Sequence, residues 1–598
     1  MKDGPFKKGF MWLCGALDRR YGWDRLPKPI ALMTLTGLRM TLRRHNLFDT
    51  TGVSAGWGPE LPPPGPRSLV RSPDGTGNDP LQPLMGSAGS RFGRNVPLAL
   101  TYPHDVLTPN PRLVSNELLA RKEFIPATTL NVLVAAWLQF EVHDWMSHGT
   151  NEPDDPWQVD LEAEDSWPVR PMLIPRTKAD PTSDAQPPTH LNTETHWWDA
   201  SQVYGSSPII EKMIRSGVGG HVLLDDKGNI PFDPPNMPPI PGLDIAGITG
   251  NWWIGLAMMH TLFMREHNSI CDYLAAIYPS WSDDELFDHA RLINAALIAQ
   301  IHTTEWTTAL LADADLELGM RVNWWGFQGE QLLKKLGRLT KSEELSGVPG
   351  SDLYYHGAPY AMTEEFVAVY RMHPLIPDEY SLRSADDNEA IEHYDFTQLA
   401  GVLTHLVLDD PRVTMTDLFY SFGTSHPGAI VLHNYPNLMR QFSEPDGTTL
   451  DLAATDILRN RERGVPRYNE FRRQFHLKPA LTFEEFSDDP QVVKDLRRIY
   501  DSPEDVDLMV GLYAETPPQG FAFSDTAFRV FILMATRRLK SDRFFTYDYR
   551  PEVYTAEGLR WIEDNTMSTV LLRHFPNLAG ALSGVDNAFK PWRTAGID

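Results

Sequence analysis

The stretch FVAVYRMHPLIPDEY, residues 366–380, decides the fold, because it combines the end of a helix with three side chains capable of chemistry. Tyr370, Arg371 and His373 lie where the pattern predicts the last turn of a helix, and two prolines then stop that helix. Positions i and i+3 of a helix share a face, so the Tyr370 hydroxyl and the His373 imidazole are predicted to point at one object. That object is either ordinary protein core or a cofactor.

The composition describes a large globular protein with an acidic character. The chain has 598 residues, of which 42% are hydrophobic, so it buries a sizeable core. Its formal net charge of −25 argues against nucleic-acid binding, because contacts with phosphates need a basic surface. Chemistry on a small molecule is the better expectation.

Two cysteines, Cys14 and Cys271, are too few for a disulfide framework, a zinc knuckle or a CxxCH haem attachment. The N-terminus does not read as a signal peptide, and no window approaches the run of about 20 apolar residues that spans a bilayer. We expect an intracellular protein, cytoplasmic or peripherally associated with a membrane.

Residues 1–49 hold ten basic and four acidic side chains, a local excess of positive charge in an acidic protein. Within them, PKPIALMTLTGLRMTLRRH (27–45) suits a helix that lies among the headgroups of a membrane. A helix docked on the protein body with solvated basic side chains is an equal alternative. We predict a basic helical segment over residues 1–50 with peripheral membrane contact through 1–49, and a catalytic domain over 51–598.

The rest of the chain alternates irregular stretches with long helical patterns. Residues 51–97, 151–188 and 217–242 are rich in turn-forming residues and lack a helical period. Helices are predicted over 127–148, over 251–279, after a Ser282–Glu285 capping box, and over 525–545. Strand alternation is scarce. The predicted fold class is mainly α, one large helical domain with long irregular loops and little β.

Two short motifs carry polar groups in unusual places. In QFEVHDW (139–145), Gln139 and His143 are i and i+4 on one face of a buried helix, and Asp144 turns about 100° away. Asp144 therefore needs a partner, either an arginine or a metal. In THWWDAS (195–201), oxygen-bearing groups alternate, and in an extended segment they would face one side as Ca²⁺ ligands, with Asp144 completing the shell. Turn and capping roles are the alternative.

Spacing alone leaves several other residues undecided. His260 and His302 lie in apolar helical settings, where a satisfied core histidine is the usual outcome, and Arg543 is by default a salt-bridged arginine. The sequence lacks a GxSxG elbow, a P-loop, an HExxH motif and a Rossmann glycine fingerprint. Hydrolase, NTPase and dehydrogenase functions lose their usual support.

Taken together, the motifs resemble one superfamily. QFEVHDW, THWWDASQVYG, FMREHN, QIHTTEW and VYRMHPLIPD, in that order, resemble the haem peroxidase and cyclooxygenase superfamily, and within it the fatty acid α-dioxygenases. SPDGTGNDPLQPLMGSAGSRFGRNV and LKSDRFFTYDY are also similar to that family, so the resemblance covers about residues 70–575. It implies haem b and Ca²⁺ as cofactors.

The resemblance also implies roles for individual residues. His373 matches the proximal ligand of the haem iron, His143 the distal histidine with Gln139 beside it, and Tyr370 the radical-forming tyrosine. The calcium site falls on a set of five residues: Asp144, Thr195, Trp197 (through its carbonyl), Asp199 and Ser201. The fatty acid carboxylate falls to His302 and Arg543, with Arg538 and Arg550 as alternative arginines, and Asn434 matches the partner of the proximal ring.

The implied reaction is a dioxygenation. A peroxide-activated haem oxidises Tyr370, the tyrosyl radical removes hydrogen from C2 of a long-chain fatty acid, and O₂ adds there to give the 2-hydroperoxide. A carboxylate clamp at His302 would bring C2, and not a mid-chain methylene, to the phenol. The alternatives are a haem peroxidase that oxidises small donors, a mid-chain fatty acid dioxygenase, and a haem-binding scaffold without turnover.

Overall fold

The computed structural model describes residues 4–50, 68–100, 105–182, 188–232, 245–401, 403–443 and 449–595. Helices dominate this part of the chain, which confirms the mainly α prediction. The helices of eight or more residues are α1 (Pro5–Tyr21), α2 (Lys28–His45), α3 (Leu133–Trp145), α4 (Ile254–Ile277), α5 (Asp283–Ile301), α6 (Ala314–Trp325), α7 (Met415–Thr424), α8 (Leu452–Glu462), α9 (Pro490–Ile499), α10 (Asp525–Lys540), α11 (Ala556–Asp564) and α12 (Met567–His574).

Shorter helices connect these elements, and three antiparallel hairpins supply the strands found in the described ranges. The shorter α-helices are Pro111–Val114, Ser201–Tyr204, Pro208–Ile214, Thr307–Leu310, Glu330–Leu336, Glu343–Ser346, Glu364–Val369, Leu403–Asp409, Tyr468–Gln474, Leu508–Ala514, Pro551–Tyr554 and Ala579–Leu582. The strand pairs are β1 (Glu152–Val159) with β2 (Met172–Arg176), β3 (Glu379–Arg383) with β4 (Ala390–Asp395), and β5 (Phe442–Ser443) with β6 (Thr449–Leu450).

One hydrophobic cluster runs from Trp23 to Trp592 and joins most of the helices. Helix α3 packs against α4, α4 against α5, and α5 against α11. Helix α2 packs against α1, α6 and α10, and α10 packs against the short helix Glu364–Val369. The buried face of α2 therefore belongs to the main core, which makes the N-terminal helices part of the folded body.

Several boundaries differ from the sequence predictions. Helix α3 begins at Leu133 and not at Ala127, because the N–H groups of Ala127 and Val132 donate to the carbonyls of Pro427 and Phe422. The stretch 151–188 contains the hairpin β1–β2, which its turn-rich composition concealed. The irregular character predicted for 51–97 holds over 68–97, and residues 51–67 lie outside the described part of the chain.

The predicted helices from residue 251 onward are largely confirmed, with one break. The capping box of Ser282 and Glu285 starts α5 as predicted. At His302 the regular helix widens into a π-helical turn, His302–Trp306, before Thr307 resumes the α-helix. Such turns occur often at functional sites. Among the described helices, none combines the length and the apolar character needed to span a membrane.

Candidate active site

Tyr370 lies just beyond the short helix Glu364–Val369, which Thr363 caps through its side chain. The predicted common helical face of Tyr370 and His373 is therefore wrong, because the helix ends at Val369 and His373 begins a separate 3-10 turn. The Tyr370 ring stacks on Phe531 at 4.6 Å and meets the edge of Trp145 at 5.3 Å. Burial raises the pKa of the Tyr370 hydroxyl, so it stays a neutral phenol.

His302 occupies the start of the π-helical turn, in a box of indole rings. Its ring stacks on Trp306 at 4.6 Å and meets the edges of Trp145 and Trp198, each at 5.2 Å. Trp137 donates its indole N–H to Nδ1 of His302 at 3.1 Å. An indole can only donate, so Nδ1 accepts and the proton of the neutral ring lies on Nε2. Burial, reinforced by the charge of Arg538, holds the pKa of His302 well below its usual range, and the ring is a neutral donor.

Arg538, in the last turn of α10, is a buried cation beside this box. It is 1% exposed, and its guanidinium carbon lies 3.7 Å from the ring centre of Trp145 and 4.2 Å from that of Trp198. In the described ranges no carboxylate lies within ion-pair distance of it, and its Nε and Nη2 atoms have no hydrogen-bond partner. A buried charge without a counter-ion is costly, so this arrangement suits an incoming anion.

Glu141 is a further buried acid of this cluster, and it was not among the residues predicted from the sequence. It is 0% exposed, and its Oε2 accepts the indole N–H of Trp198 at 2.9 Å, while Oε1 has no hydrogen-bond partner. Burial and the neighbouring Asp144 raise its pKa well above the usual range, against the opposing charge of Arg538. The signal in the sequence that could have indicated Glu141 is a carboxylate within the otherwise apolar helix α3.

Arg543, the arginine predicted to bind the carboxylate, already has protein partners in the structure. Its Nη1 pairs with Asp548 at 2.5 Å, and its Nη2 donates to the Ser68 carbonyl at 2.8 Å. Arg550, the other alternative, is 41% exposed in its side chain and also faces Asp548. Of the three predicted arginines, the structure brings Arg538 to His302 and Tyr370. The residues Phe531, Ala535 and Arg538 are spaced i, i+4, i+7 along α10 and so share one face.

His373 begins a 3-10 turn, His373–Leu375, with Asp456 of α8 beside it. Its Nδ1 lies 2.8 Å from Oδ2 of Asp456, without the alignment of a regular hydrogen bond. Asp456 also accepts the Tyr435 hydroxyl at 3.1 Å and pairs with Arg371. Burial raises the pKa of Asp456, but Arg371 and His373 more than offset this and bring it to about 2.

Asn434 is not the partner of the His373 ring, so this prediction is wrong. Its Oδ1 accepts from the Arg121 guanidinium and the Ile125 N–H, and its Nδ2 donates to the Ile125 and Ala429 carbonyls. All its hydrogen-bonding capacity is used in this way. Arg121 also donates to the Pro374 carbonyl. Asn434 therefore supports the turn that begins at His373 only indirectly, through Arg121.

His143 and Gln139 lie on α3 as predicted, but they do not form a pair. Gln139 donates to the Asn251 carbonyl at 2.9 Å. His143 is 9% exposed, and its Nδ1 has no hydrogen-bond partner in the described residues. Burial, with a smaller contribution from His260, lowers the pKa of His143 to about 3, so the ring is neutral.

The residues of the predicted calcium site lie close together. Asp144 Oδ1 accepts the N–H of Ser201 at 2.6 Å, and the Thr195 hydroxyl donates to Asp199 at 3.0 Å. The segment is a turn and not extended as predicted, since Ala200 has a φ of 60°. The indole of Trp197 points to the Gly75 carbonyl.

Both carboxyl groups of this set are fully buried and close to each other. Burial, together with Asp199, raises the pKa of Asp144 well above its usual range, and Asp144 Oδ2 has no hydrogen-bond partner. Asp199 has Arg291 3.7 Å away. The described residues contain no group of three or more His, Cys, Asp or Glu side chains able to hold a metal ion, so this set offers two carboxylates and otherwise hydroxyl and carbonyl oxygens.

An apolar cavity lies between α2, α6 and α10, next to Phe531. Leu32 and Leu35 line it from α2, and Gly319 lines it from α6. Phe531 contributes one wall, and the same ring stacks on Tyr370. From Arg538 back to Phe528, α10 rises by ten residue steps, or about 15 Å at the rise of an α-helix. The face of α10 thus connects the buried cation with an apolar space.

Comparison with known proteins identifies a matching family, similar relatives and a similar solved structure. Residues 70–585 match the family described as animal haem peroxidase. The chain is 37% identical to Alpha-dioxygenase 2 of Arabidopsis thaliana, over 99% of this chain and 94% of that protein. It is 36% identical to Alpha-dioxygenase PIOX of Oryza sativa, over 98% of this chain and 95% of that protein. A crystal structure of an Oryza sativa fatty acid α-dioxygenase variant with palmitic acid superposes with a TM-score of 0.90 at 34% identity, covering 99% and 98% of the two chains.

Proposed function

The chain belongs to the animal haem peroxidase family and, within it, to the fatty acid α-dioxygenases, and from this premise we propose the roles of its residues. The enzyme is a haem-dependent oxidoreductase that incorporates O₂ into a fatty acid. The observation that carries the proposal is the buried Arg538, without a carboxylate partner in the described ranges, beside the neutral donor His302 and the phenol of Tyr370.

The residues present fit a haem group. His143 is a buried neutral imidazole with an Nδ1 that lacks a partner, and His373 keeps 32% of its side chain accessible although Pro374 and Leu375 beside it are buried. We assign His373 as the proximal ligand, with Asp456 setting the orientation of its ring, and His143 and Gln139 to the distal side. When bound, haem supplies the one-electron oxidation, started by peroxide, that converts the Tyr370 phenol into its radical.

The carboxylate of the substrate binds between His302 and Arg538. The Nε2–H of His302 would donate a neutral hydrogen bond to this carboxylate, and the unpartnered guanidinium N–H groups of Arg538 would donate charge-assisted ones. Arg538 gains the counter-ion that it lacks, which explains why a fatty acid is held by its head. The tail extends along α10 past Phe531 into the cavity between α2 and α6, at about 0.8 kcal/mol for each buried methylene group.

Tyr370 then carries out the hydrogen transfers. Its phenoxyl oxygen removes one hydrogen atom from C2, which restores the phenol and leaves a carbon radical. O₂ adds to C2, and the peroxyl oxygen takes the hydrogen atom back from Tyr370. The product is the 2-hydroperoxy fatty acid, and the tyrosyl radical is ready for another substrate. The clamp on the carboxylate selects C2, because the reacting carbon lies next to the anchored group.

Oxygen uptake by the haem-loaded protein given palmitic acid tests this function, with the oxygenated carbon identified by mass spectrometry. We expect oxygen at C2, and loss of uptake in Tyr370→Phe. Oxidation of small donors with palmitic acid unchanged would favour a peroxidase, and oxygen at a mid-chain carbon would favour a mid-chain dioxygenase. Bound haem that does not react with peroxide would favour a haem-binding scaffold without turnover.

We also propose that Asp144, Asp199, Thr195, Ser201 and the Trp197 carbonyl bind Ca²⁺. Two buried carboxyl groups with one unpartnered oxygen are the support, since a divalent cation would keep both ionised. Calcium would join α3, which carries His143, to the turn before Ser201. We expect Ca²⁺ to raise the thermal midpoint relative to EDTA, and Asp199→Asn to abolish that rise while the exposed Asp155→Asn leaves it intact.

The exposed face of α1 supports the proposed membrane contact. Phe6, Trp12 and Leu13 are 88%, 69% and 45% exposed, on a helix that carries Arg19 and Arg20 in its last turn. This combination suits the surface of an anionic bilayer. We expect binding to vesicles that contain phosphatidylserine, weakened by salt and by Phe6→Ser with Trp12→Ser. Equal partitioning of the variant and the unaltered protein would contradict it.

A further inference from the structure

Arg538 also contacts two indole rings, and this contact has no part in the proposed binding of the carboxylate. Its guanidinium carbon lies 3.7 Å from the ring centre of Trp145 and 4.2 Å from that of Trp198, and we call these two residues the indole pair. The two rings are 5.6 Å apart, and Trp145 is 5.3 Å from Tyr370. Both indoles are buried, at 0% and 1% exposure.

This placement exposes a radical on Tyr370 to loss by electron transfer from a neighbouring indole ring. Indole and phenol side chains are oxidised at similar potentials, and electron transfer between aromatic rings in contact is fast compared with turnover. A radical on Tyr370 can therefore be lost to Trp145. In that side reaction one electron leaves Trp145 first, because its indole N–H has no hydrogen-bond partner in the described residues, and the proton follows. The Tyr370 oxygen gains one electron and one proton to become a phenol again. Trp198 is the next oxidisable ring.

The charge of Arg538 opposes the first stage of this loss. A guanidinium over a neutral indole is attracted to the negative face of the ring. Once an electron leaves, the ring becomes positive and the same guanidinium repels it at a distance where Coulomb interactions in a protein interior are strong. The electron is therefore harder to remove from either member of the indole pair.

We propose that Arg538 keeps the indole pair reduced and so confines the radical to Tyr370, in addition to binding the substrate. The effect is greatest when no fatty acid is bound, because within the described ranges Arg538 then has no carboxylate within ion-pair distance. That is also when the radical has no C2–H to attack. This inference rests on the proposed radical role of Tyr370.

The test adds peroxide to haem-loaded protein without fatty acid and measures oxidised Trp145 and Trp198 by peptide mass spectrometry. We expect about tenfold more oxidised indole in Arg538→Gln than in the unaltered protein. Arg538→Lys keeps the charge and should stay near the unaltered level. His302→Gln is the matched control, since it also weakens carboxylate binding but leaves Arg538 over the rings. Protein without haem gives the background of direct peroxide damage.

Arg538→Met serves as the second neutral variant, because an apolar side chain suits a buried position if glutamine hinders folding. Equal indole oxidation in a folded neutral variant and in the unaltered protein would overturn the proposal, and so would an equal rise in His302→Gln. Adding Tyr370→Phe to Arg538→Gln should return oxidation to background. If oxidation persists there, Tyr370 is not the oxidant, and fatty acid turnover by Tyr370→Phe alone then shows whether the proposed function fails as well.

Discussion

At the scale of single residues, burial and pairing separate Arg538 from Arg543. We expect Arg538→Gln to raise KM for palmitic acid by about tenfold to a hundredfold, the cost of a lost charge-assisted hydrogen bond. Arg543→Gln makes the same chemical change but breaks the buried pair with Asp548, so it should destabilise the fold by about 3–5 kcal/mol and leave KM unchanged. Oxygen-uptake kinetics and thermal melting of both variants check this, and the reverse pattern would restore Arg543 to the site.

His302 provides a prediction about pH. Its pKa in the folded protein lies well below 6.5, so the ring is neutral above that low value and lowering the pH from 8 to 6 does not protonate it. The pH profile of kcat/KM should therefore lack an imidazole inflection near 6.5. Trp137→Phe removes the donor that holds the proton on Nε2, and we expect kcat/KM to fall by about fivefold, for a hydrogen bond of about 1 kcal/mol. An unchanged kcat/KM would contradict this role of Trp137.

Tyr370, His302, His373 and Asp144 could be singled out from the sequence because each falls inside a recognisable motif. It favoured Arg543 over Arg538 because KSDRFF and TRRLK both read as polar helix ends, and only the packing of α10 shows that the Arg538 guanidinium is buried with its Nε and Nη2 atoms unpartnered in the described residues. Asp456 was missed because it lies in α8, far along the chain from His373, and no local spacing links the two.

At the scale of elements, the long apolar helices were predictable, and the places where they deviate were not. The apolar periodicity predicted a continuous α-helix across His302, because a π-helical turn keeps the apolar pattern while adding one residue to the turn. The short helix before Tyr370 ends earlier than predicted, although His373 still follows in the next turn. The hairpin β1–β2 was hidden in a segment rich in proline and acids.

The cavity between α2, α6 and α10 makes a prediction about chain length. Gly319 of α6 faces Leu32 of α2, and a Cβ built there would lie 3.7 Å from a Leu32 methyl group, which is ordinary contact. Gly319→Leu should thus fold and fill the cavity. We expect the ratio of kcat/KM for palmitic acid to that for lauric acid to fall. Gly580→Leu, in a helix where nothing lies within 4 Å of an added Cβ, is the control, and an unchanged ratio in Gly319→Leu would exclude this cavity as the tail site.

At the scale of the whole molecule, the basic N-terminal helices are attached to the body of the protein by specific contacts. The sequence shows the basic excess of residues 1–49, but not what the helices contact. The Trp23 indole N–H donates to Asp525 at 2.9 Å, and Arg529 pairs with Asp18 at 3.0 Å. Both contacts tie α1 and the turn after it to α10. The boundary at residue 50 stays a prediction, and point variants on the outer face of α1 probe membrane binding better than deletion, which would also remove a wall of the cavity.

Glu343 is the acid that fixes α2 to the body, and it makes stability depend on pH. It pairs with Arg43 at 2.6 Å and has Arg39 and Lys540 each at 3.6 Å. Burial raises its pKa, but these three cations more than offset this and hold the pKa well below the usual range. A depressed pKa stabilises the fold above the unfolded-state value and loses this contribution as the pH falls through the folded-state value.

Glu343→Gln should therefore lower the free energy of unfolding by about 3–5 kcal/mol at pH 7, because it leaves buried arginines without a counter-charge. The difference from the unaltered protein should stay constant down to about pH 5 and shrink below about pH 4, as the carboxyl of the unfolded chain becomes protonated. Thermal midpoints across this range measure it, with Glu344→Gln, whose side chain accepts from Ser342, as the control. A difference that grows towards low pH would show that Glu343 is not held ionised by the cations of α2 and α10, and the docking of the N-terminal helices would then rest on their apolar contacts alone.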